Sequence, residues 1–271
     1  MKKILFPTDF SDRANKALAQ AIFYAKLFNA EIIIYHAYHR PIGQEGNPDQ
    51  IAHALHAYEK GIDKQFQKLQ HDNAVLEKVK HEFRKELGVS IENIPHVAKS
   101  EEVDLIIMAT KGANGFDELW GTKTATIVKK VELPVLVIPD HATLNNIGKV
   151  GLVCDYSKNT AYQGLDFLVE IIKEQALDID VITLNRSELP MKSEEQTYRM
   201  LVRKKFESIP TTFHFTFDSS VDEGIIDYSK ANGIGMIAIL PKSYGFIKQI
   251  FHESLSERMI FRSPIPLLVL K

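Results

Sequence analysis

The stretch Asp104–Gly115, with the sequence DLIIMATKGANG, decides the fold that the sequence predicts. An apolar run ends there in a turn of small residues, and the pair Gly121-Thr122 follows after a short loop. A run of apolar residues that is not interrupted by alternating polar residues is typical of a strand in a parallel sheet covered on both faces. Glycine turns and helix N-termini expose backbone N–H groups that hold phosphates. The stretch therefore predicts a buried parallel strand that leads into a phosphate-binding loop, with Gly121-Thr122 opening a helix.

The composition excludes several classes of protein. The chain has 271 residues, of which 45% are apolar and 25% are charged, enough to build one large core or two ordinary ones. A net charge of −2 gives no general attraction to nucleic acid or to anionic membranes. The single cysteine, Cys154, excludes an internal disulfide framework, and no segment approaches the roughly 20 apolar residues of a membrane helix. We therefore expect a cytoplasmic protein that binds neither nucleic acid nor membrane.

Strands alternate with helices through the first half of the chain. Five segments are predicted to be strands: 3–8, 31–37, 79–86, 103–108 and 134–139. In the third segment, apolar and charged residues alternate, as is typical of an edge strand. Ser11 is the predicted N-cap of the first helix, and later helices are predicted near 49–76, 90–98 and 122–131. Connections of this length favour right-handed crossovers, and thus a doubly wound parallel sheet. Ligands bind such sheets beyond the carboxyl ends of the strands.

The second half repeats the first. Lys149–Ser157 matches Lys3–Ser11 at a constant offset of 146 residues, and Ile265–Leu270 matches Leu133–Ile138. The residues between the two copies have the character of a linker. Repetition at this period indicates two tandem copies of one α/β domain. We expect the first domain to span 1–140, the linker 141–148, and the second domain 149–271.

The copies differ where a phosphate would bind. The small-residue turn of the first copy is replaced by Leu240–Ser243, in which Pro241 has no N–H to donate. Glu253 stands where Gly121 stands, counted back from the shared proline, and its carboxylate would repel a phosphate. We expect the second copy not to bind a nucleoside triphosphate in the same way.

The chain resembles the universal stress protein family in its tandem form. The resemblance rests on Asp9 and Ser11 after the first strand, on DLIIM before the glycine turn, and on PVLVIP at residues 134–139. It implies a five-stranded parallel fold of the adenine nucleotide alpha hydrolase type that pairs through its last strands. In one tandem chain, the two halves can make that pairing with each other. A further homodimer remains open.

The resemblance also implies a site for ATP or a related adenine nucleotide, with Mg²⁺ as a possible companion. Nucleotide-binding members carry Gly-x2-Gly-x9-Gly-Ser/Thr; here the first glycine is Ala109, and eight residues, not nine, separate Gly112 from Gly121. Asp9 and Ala37 would face adenine and ribose, while Gly112, Gly121 and Thr122 would face the phosphates. The complete set of candidate residues is Pro7, Thr8, Asp9, Ala37, Met108, Ala109, Lys111, Gly112, Gly121 and Thr122.

Two hypotheses about function stay open. The first is a stress-response protein that binds an adenine nucleotide as a sensor, with slow hydrolysis at most. The second is a nucleotide-free module whose surfaces bind protein partners. We name no catalytic residue, because Ser11 is better explained as a helix cap than as a nucleophile. We also name no metal ligand, although His53 and His56 have the spacing of two helical zinc ligands.

Overall fold

The computed structural model describes residues 1–39, 48–110, 118–140, 142, 147–154, 156, 162–184, 192–216, 221–240 and 263–271. The chain divides into two compact units, Met1–Met108 and Ala109–Lys271. The division falls within a strand, and the domain limits inferred from the repeat, 1–140 and 149–271, stay a prediction. Among the described helices, none combines the length and the apolar character needed to cross a membrane.

The first unit is a parallel sheet with helices between its strands. Its strands are β1 (Lys3–Pro7), β2 (Glu31–Tyr38), β3 (His81–Leu87) and β4 (Leu105–Thr110), which continues two residues into the second unit. They lie in the order β3-β2-β1-β4, and each neighbouring pair is parallel. The helices are α1 (Asp12–Phe28), α2 (Pro48–Asp72) and α3 (Ser90–Ser100), with a 3₁₀ helix at Ala74–Lys78. The helix predicted near 49–76 thus ends at Asp72, and the 3₁₀ helix follows it before β3.

Helix α1 shows how the sequence fixes the local structure. Ser11 is its N-cap, as predicted, and the Ser11 hydroxyl accepts a hydrogen bond from the Ala14 N–H. Alanine residues recur on the buried face of the helix, together with Leu18 and Ile22, and this face lies on the sheet. Asn29 ends the helix in a left-handed conformation with φ of 51°. The start of α1 therefore fixes the turn that follows β1.

The second unit contains the rest of the strands and helices. They are α4 (Glu118–Lys130), β5 (Val135–Pro139), β6 (Lys149–Cys154), α5 (Gly164–Gln175), β7 (Asp178–Leu184), α6 (Ser193–Lys205), β8 (Thr211–Thr216), α7 (Val221–Ala231), β9 (Met236–Ile239) and β10 (Leu267–Val269). The strand order is β5-β10-β9-β6-β7-β8. β10 is antiparallel to β5, whereas β10-β9, β9-β6, β6-β7 and β7-β8 are parallel. The antiparallel pair joins the last strand of one sequence copy to the last strand of the other.

The backbone repeats along with the sequence. Phe10 and Tyr156, 146 residues apart, both adopt a left-handed conformation, with φ of 59° and 51°. Asn29 and Ala176, which end α1 and α5, do the same with φ of 51° and 50°. Left-handed backbone is uncommon outside glycine. Its recurrence at matching positions shows that the two copies share local geometry as well as strand order.

Candidate functional site

A tight turn follows β1 and shapes the candidate site. The Thr8 N–H donates to the Tyr35 carbonyl at 2.8 Å, which keeps the chain beside β2 past the end of the strand. The Thr8 hydroxyl oxygen then accepts a hydrogen bond from the Phe10 N–H at 3.0 Å. Phe10 reverses the chain through its left-handed conformation. The turn therefore holds Asp9 at the carboxyl end of β1, immediately before α1.

Asp9 is a half-buried carboxylate with one engaged oxygen. Its Oδ1 accepts hydrogen bonds from the Ser11 N–H at 3.0 Å and from the Ser11 hydroxyl at 2.5 Å. Within the described part of the chain, no hydrogen bond is made to Oδ2. These bonds satisfy donors at the start of α1 and fix the orientation of the carboxylate. One oxygen is left to accept a hydrogen bond from a ligand.

His36 on β2 completes this edge of the sheet. Its Nδ1 lies 2.8 Å from the Thr8 carbonyl. Because a carbonyl only accepts, Nδ1 carries a proton, and Nε2 is the acceptor of the neutral ring. Burial lowers the pKa of His36, opposed by the bond to Thr8 and by the charge of Asp9. His36 is not among the site residues predicted from the sequence, although it directly precedes Ala37 and so lies at the same strand end.

An aromatic cluster of Phe10, His36, Phe66 and Phe83 supports the turn. The Phe10 ring lies 4.6 Å from the His36 ring and meets the Phe66 ring edge-on at 5.1 Å. Phe66, on α2, also lies 4.9 Å from Phe83 on β3. Phe66 is only 4% exposed, so the cluster is anchored in the core of the first unit. Helix α2 thus supports, through Phe66, the Phe10 ring that packs against His36.

Five of the predicted residues lie at adjacent strand ends of the first unit. Pro7 ends β1, Thr8 and Asp9 follow it, Ala37 lies near the end of β2, and Met108 lies on β4. Thr8 and Met108 are each 7% exposed, whereas Pro7, Asp9 and Ala37 are half-buried. The fold thus brings residues from three separate segments to one edge of the sheet.

The other predicted residues belong to the second unit. Ala109 is a half-buried residue of β4, and Lys111 and Gly112 lie outside the described residues. Gly121 and Thr122 lie within α4. The expectation that this pair opens the helix is wrong, because α4 begins at Glu118. Glycine is tolerated inside a helix at a modest cost, and the residues before it are adequate helix formers, so the helix extends one turn further back than predicted.

The histidine pair on α2 does not form a metal site with its described neighbours. His53 and His56 are both exposed. Among the residues that the structure describes, no group of three or more His, Cys, Asp or Glu side chains is arranged to hold a metal ion. A zinc site needs three or four protein ligands.

Comparisons with known proteins agree on one family. The model of the universal stress protein family matches residues 1–139. The chain is 30% identical over 156 residues to a universal stress protein of Methanocaldococcus jannaschii, a match that covers 51% of this chain and 94% of the relative. A second universal stress protein of that organism is 32% identical over 142 residues, which cover 51% of this chain and 81% of the relative.

The fold match extends over both halves. The crystal structure of a universal stress protein from Archaeoglobus fulgidus superposes with a TM-score of 0.73 at 20% identity, covering 99% of this chain and 98% of that one. At this identity the match concerns the fold alone. Taken with the family model over the first half, these comparisons show that the chain belongs to the universal stress protein family.

Proposed function

We propose that the first half of the chain binds ATP or a related adenine nucleotide and acts as a regulatory sensor in the stress response. The observation that carries the proposal is the Asp9 carboxylate, held rigidly through Oδ1 at the carboxyl end of β1 while Oδ2 accepts no hydrogen bond from the described residues. Carboxyl ends of parallel strands are where α/β sheets bind ligands. Membership of the universal stress protein family supports the same location.

The chemistry of this edge suits the sugar and base of a nucleotide. Asp9 Oδ2 can accept a hydrogen bond from a ribose hydroxyl or from the adenine amino group. Ala37 has a small side chain and is half-buried, which suits contact with a flat ring. Burial lowers the pKa of His36 and so disfavours the charged form of the ring at this edge. We assign the phosphates to Gly112, Gly121 and Thr122, with Lys111 available to offset their charge and Mg²⁺ as a possible counterion.

A binding role is favoured over catalysis. The Ser11 hydroxyl donates to Asp9 and accepts from the Ala14 N–H, so its hydrogen-bonding capacity is committed to the start of α1. A nucleophile would need a neighbouring base to take its proton. Asp9 instead serves as an acceptor for the helix cap. We therefore assign at most slow hydrolysis to this site. We also propose that the protein is cytoplasmic.

The last strands of the two copies supply a link within one chain. β5 and β10 pair antiparallel, with Leu136 opposite Leu268 at the centre. We propose that this pairing makes the tandem chain a pseudo-dimer that does not need a second chain at that edge. A homodimer through another surface is compatible with it.

Calorimetric titration of ATP with Mg²⁺ tests the nucleotide assignment. Asp9→Asn keeps an acceptor for Ser11 but removes the charge, and we expect it to weaken binding about tenfold or more, since hydrogen bonds to charged groups contribute about 1.5–3 kcal/mol. The matched control is Asp12→Asn, because Asp12 is exposed in the first turn of α1. Gly112→Val and Gly121→Glu test the phosphate side, and both should abolish binding.

Two results would refute the assignment. Neither heat nor a thermal shift in the parent protein would exclude the nucleotide and favour the alternative, a nucleotide-free module that binds protein partners. Equal affinity in the parent and in Asp9→Asn would show that the nucleotide does not contact Asp9.

A further inference from the structure

The second half replaces the aromatic cluster of the first with hydrogen-bonding side chains. The replacement begins at Tyr156, which matches Phe10 at the offset of 146 and shares its left-handed backbone. Phe10 packs its ring on His36 and Phe66. Tyr156 keeps the ring and adds a hydroxyl in a position that is 0% exposed.

The strand register identifies the partner of Tyr156 on β7. Lys3 pairs with Glu31 in the first half and Lys149 pairs with Asp178 in the second, so the offset along this strand is 147. Thr183 therefore takes the position of His36. Its side chain is 5% exposed, and a hydroxyl stands where the first half has an imidazole ring.

A cation occupies the position of the third aromatic ring. Phe213 matches Phe83, because Phe83 pairs with Ile34 and Phe213 pairs with Val181 in equivalent registers. Phe66 from α2 packs against Phe83 in the first half. In the second half, Arg199 and Arg203 from α6 lie over the Phe213 ring, with guanidinium carbons 5.7 Å and 4.7 Å from its centroid.

Two of the new side chains, Tyr156 and Thr183, end in buried hydroxyl groups. Among the described residues, neither the Tyr156 hydroxyl nor the Thr183 hydroxyl has a partner that meets the geometric criteria of a hydrogen bond. The Thr183 side chain is close enough to the phenol to influence its pKa. Burial raises the pKa of Tyr156 to about 12, opposed by Thr183 and by the charges of Arg199 and Arg203. The phenol is thus a protonated donor at physiological pH.

A buried donor without an acceptor is unfavourable, and the positive charges of Arg199 and Arg203, which act on the phenol, would attract an anion. We propose that the second half binds a phosphate group, free or as part of a small phosphate ester, between Tyr156, Thr183, Arg199 and Arg203. A phosphate offers more acceptor oxygens and more charge than a carboxylate, which matches two hydroxyls and two guanidinium forks.

The geometry also defines how the anion enters. The Tyr156 hydroxyl is closed to solvent, whereas Arg203 lies on the exposed side of α6. Binding of an anion by Arg199 would exchange its cation–π contact with Phe213 for a charge-assisted hydrogen bond. This site needs no glycine loop, and it is independent of the nucleotide proposed for the first half.

Titration with two probes tests the proposal: inorganic phosphate, and a hexose phosphate as the esterified form. We expect saturable 1:1 binding of at least one probe with Kd of about 1 mM or tighter, and a rise in Tm at saturation. Tyr156→Phe and Arg199→Met should each weaken binding at least tenfold. Lys204→Met is the matched control, because Lys204 is an exposed cation on the same helix, and it should leave Kd nearly unchanged.

Tyr156→Phe removes only a hydroxyl, so it keeps the test valid if Arg199→Met fails to fold. Binding of the ester but not of inorganic phosphate would identify the ester as the ligand class. Absence of saturable binding of both probes to the parent would overturn the proposal. Equal affinity in the parent and in Tyr156→Phe would overturn it as well.

Discussion

Lys271 gives the sharpest prediction about stability. Its ammonium group donates to the Val128 carbonyl at 2.6 Å. Val128 lies in the last turn of α4, where carbonyls lack an intrahelical partner and favour a cation. Burial nevertheless lowers the pKa of Lys271 to about 8 from an ordinary value of 10.5, opposed by the charge of Glu132. The fold therefore holds this ammonium at a net cost.

The direction of the pH dependence follows from the number of protons bound by the folded and the unfolded protein. Below pH 8 the lysine is charged in both the folded and the unfolded protein, and the folded protein bears the full desolvation penalty. Between about pH 8 and 10.5 the unfolded chain binds more protons, so stability rises with pH by about 1.4 kcal/mol per unit. The whole rise amounts to about 3 kcal/mol.

Lys271→Met removes this dependence. The variant loses a hydrogen bond worth about 1 kcal/mol but also the desolvation penalty, so we expect it to be more stable than the parent at pH 7 by about 1–2 kcal/mol. Urea unfolding followed by circular dichroism, repeated from pH 7 to pH 10, measures both effects. Lys130→Met is the control, because Lys130 is exposed at the end of the same helix. If Lys271→Met kept the parent's rise in stability above pH 8, the reasoning would be refuted.

Three further predictions concern the stability of the fold. Phe66→Ala should destabilise the first unit by about 3–5 kcal/mol in urea unfolding, whereas Phe23→Ala, at a site 44% exposed, should change stability by less than about 1 kcal/mol. His36 has a lowered pKa in the fold, so stability should fall as the pH drops below 6.5, and His36→Gln should flatten that fall in a pH series of unfolding curves. Gly164→Ala should lower Tm, because its new Cβ would lie 2.7 Å from a backbone oxygen, whereas Gly61→Ala, with nothing within 4 Å, should raise Tm.

The parts of the fold that depend on local sequence could be predicted. Ser11 was identified as an N-cap from its place before an alanine-rich helix, and the structure confirms it. The 146-residue repeat predicted that β6 would resemble β1, and the matching left-handed residues show that it does. Each of these features is decided within a few residues, where spacing carries the information.

The parts that depend on tertiary contacts could not be predicted. The orientation of His36 depends on the Thr8 carbonyl, 28 residues away, and on the ring of Phe10. No sequence pattern predicted the left-handed backbone of Phe10. The start of α4 was misplaced because Gly121 looks like a helix boundary, although a helix can run through a glycine. The cation over Phe213 depends on where α6 lies against β8, which pairwise spacing along the chain does not encode.

The two halves differ in the way that their proposed ligands would be held. In the first half, backbone N–H groups of a glycine loop are assigned to the phosphates, and side chains such as Asp9 are left for the sugar and base. Backbone recognition requires small residues, so the leucine and proline of the second copy's loop remove it. Side-chain donors carry no such restriction, and the second half has them at the positions of Phe10, His36 and Phe66. On these two proposals, the first half would hold phosphate with backbone N–H groups and the second half with the side chains of Tyr156, Thr183 and Arg199. Tyr156→Phe tests the second of these proposals.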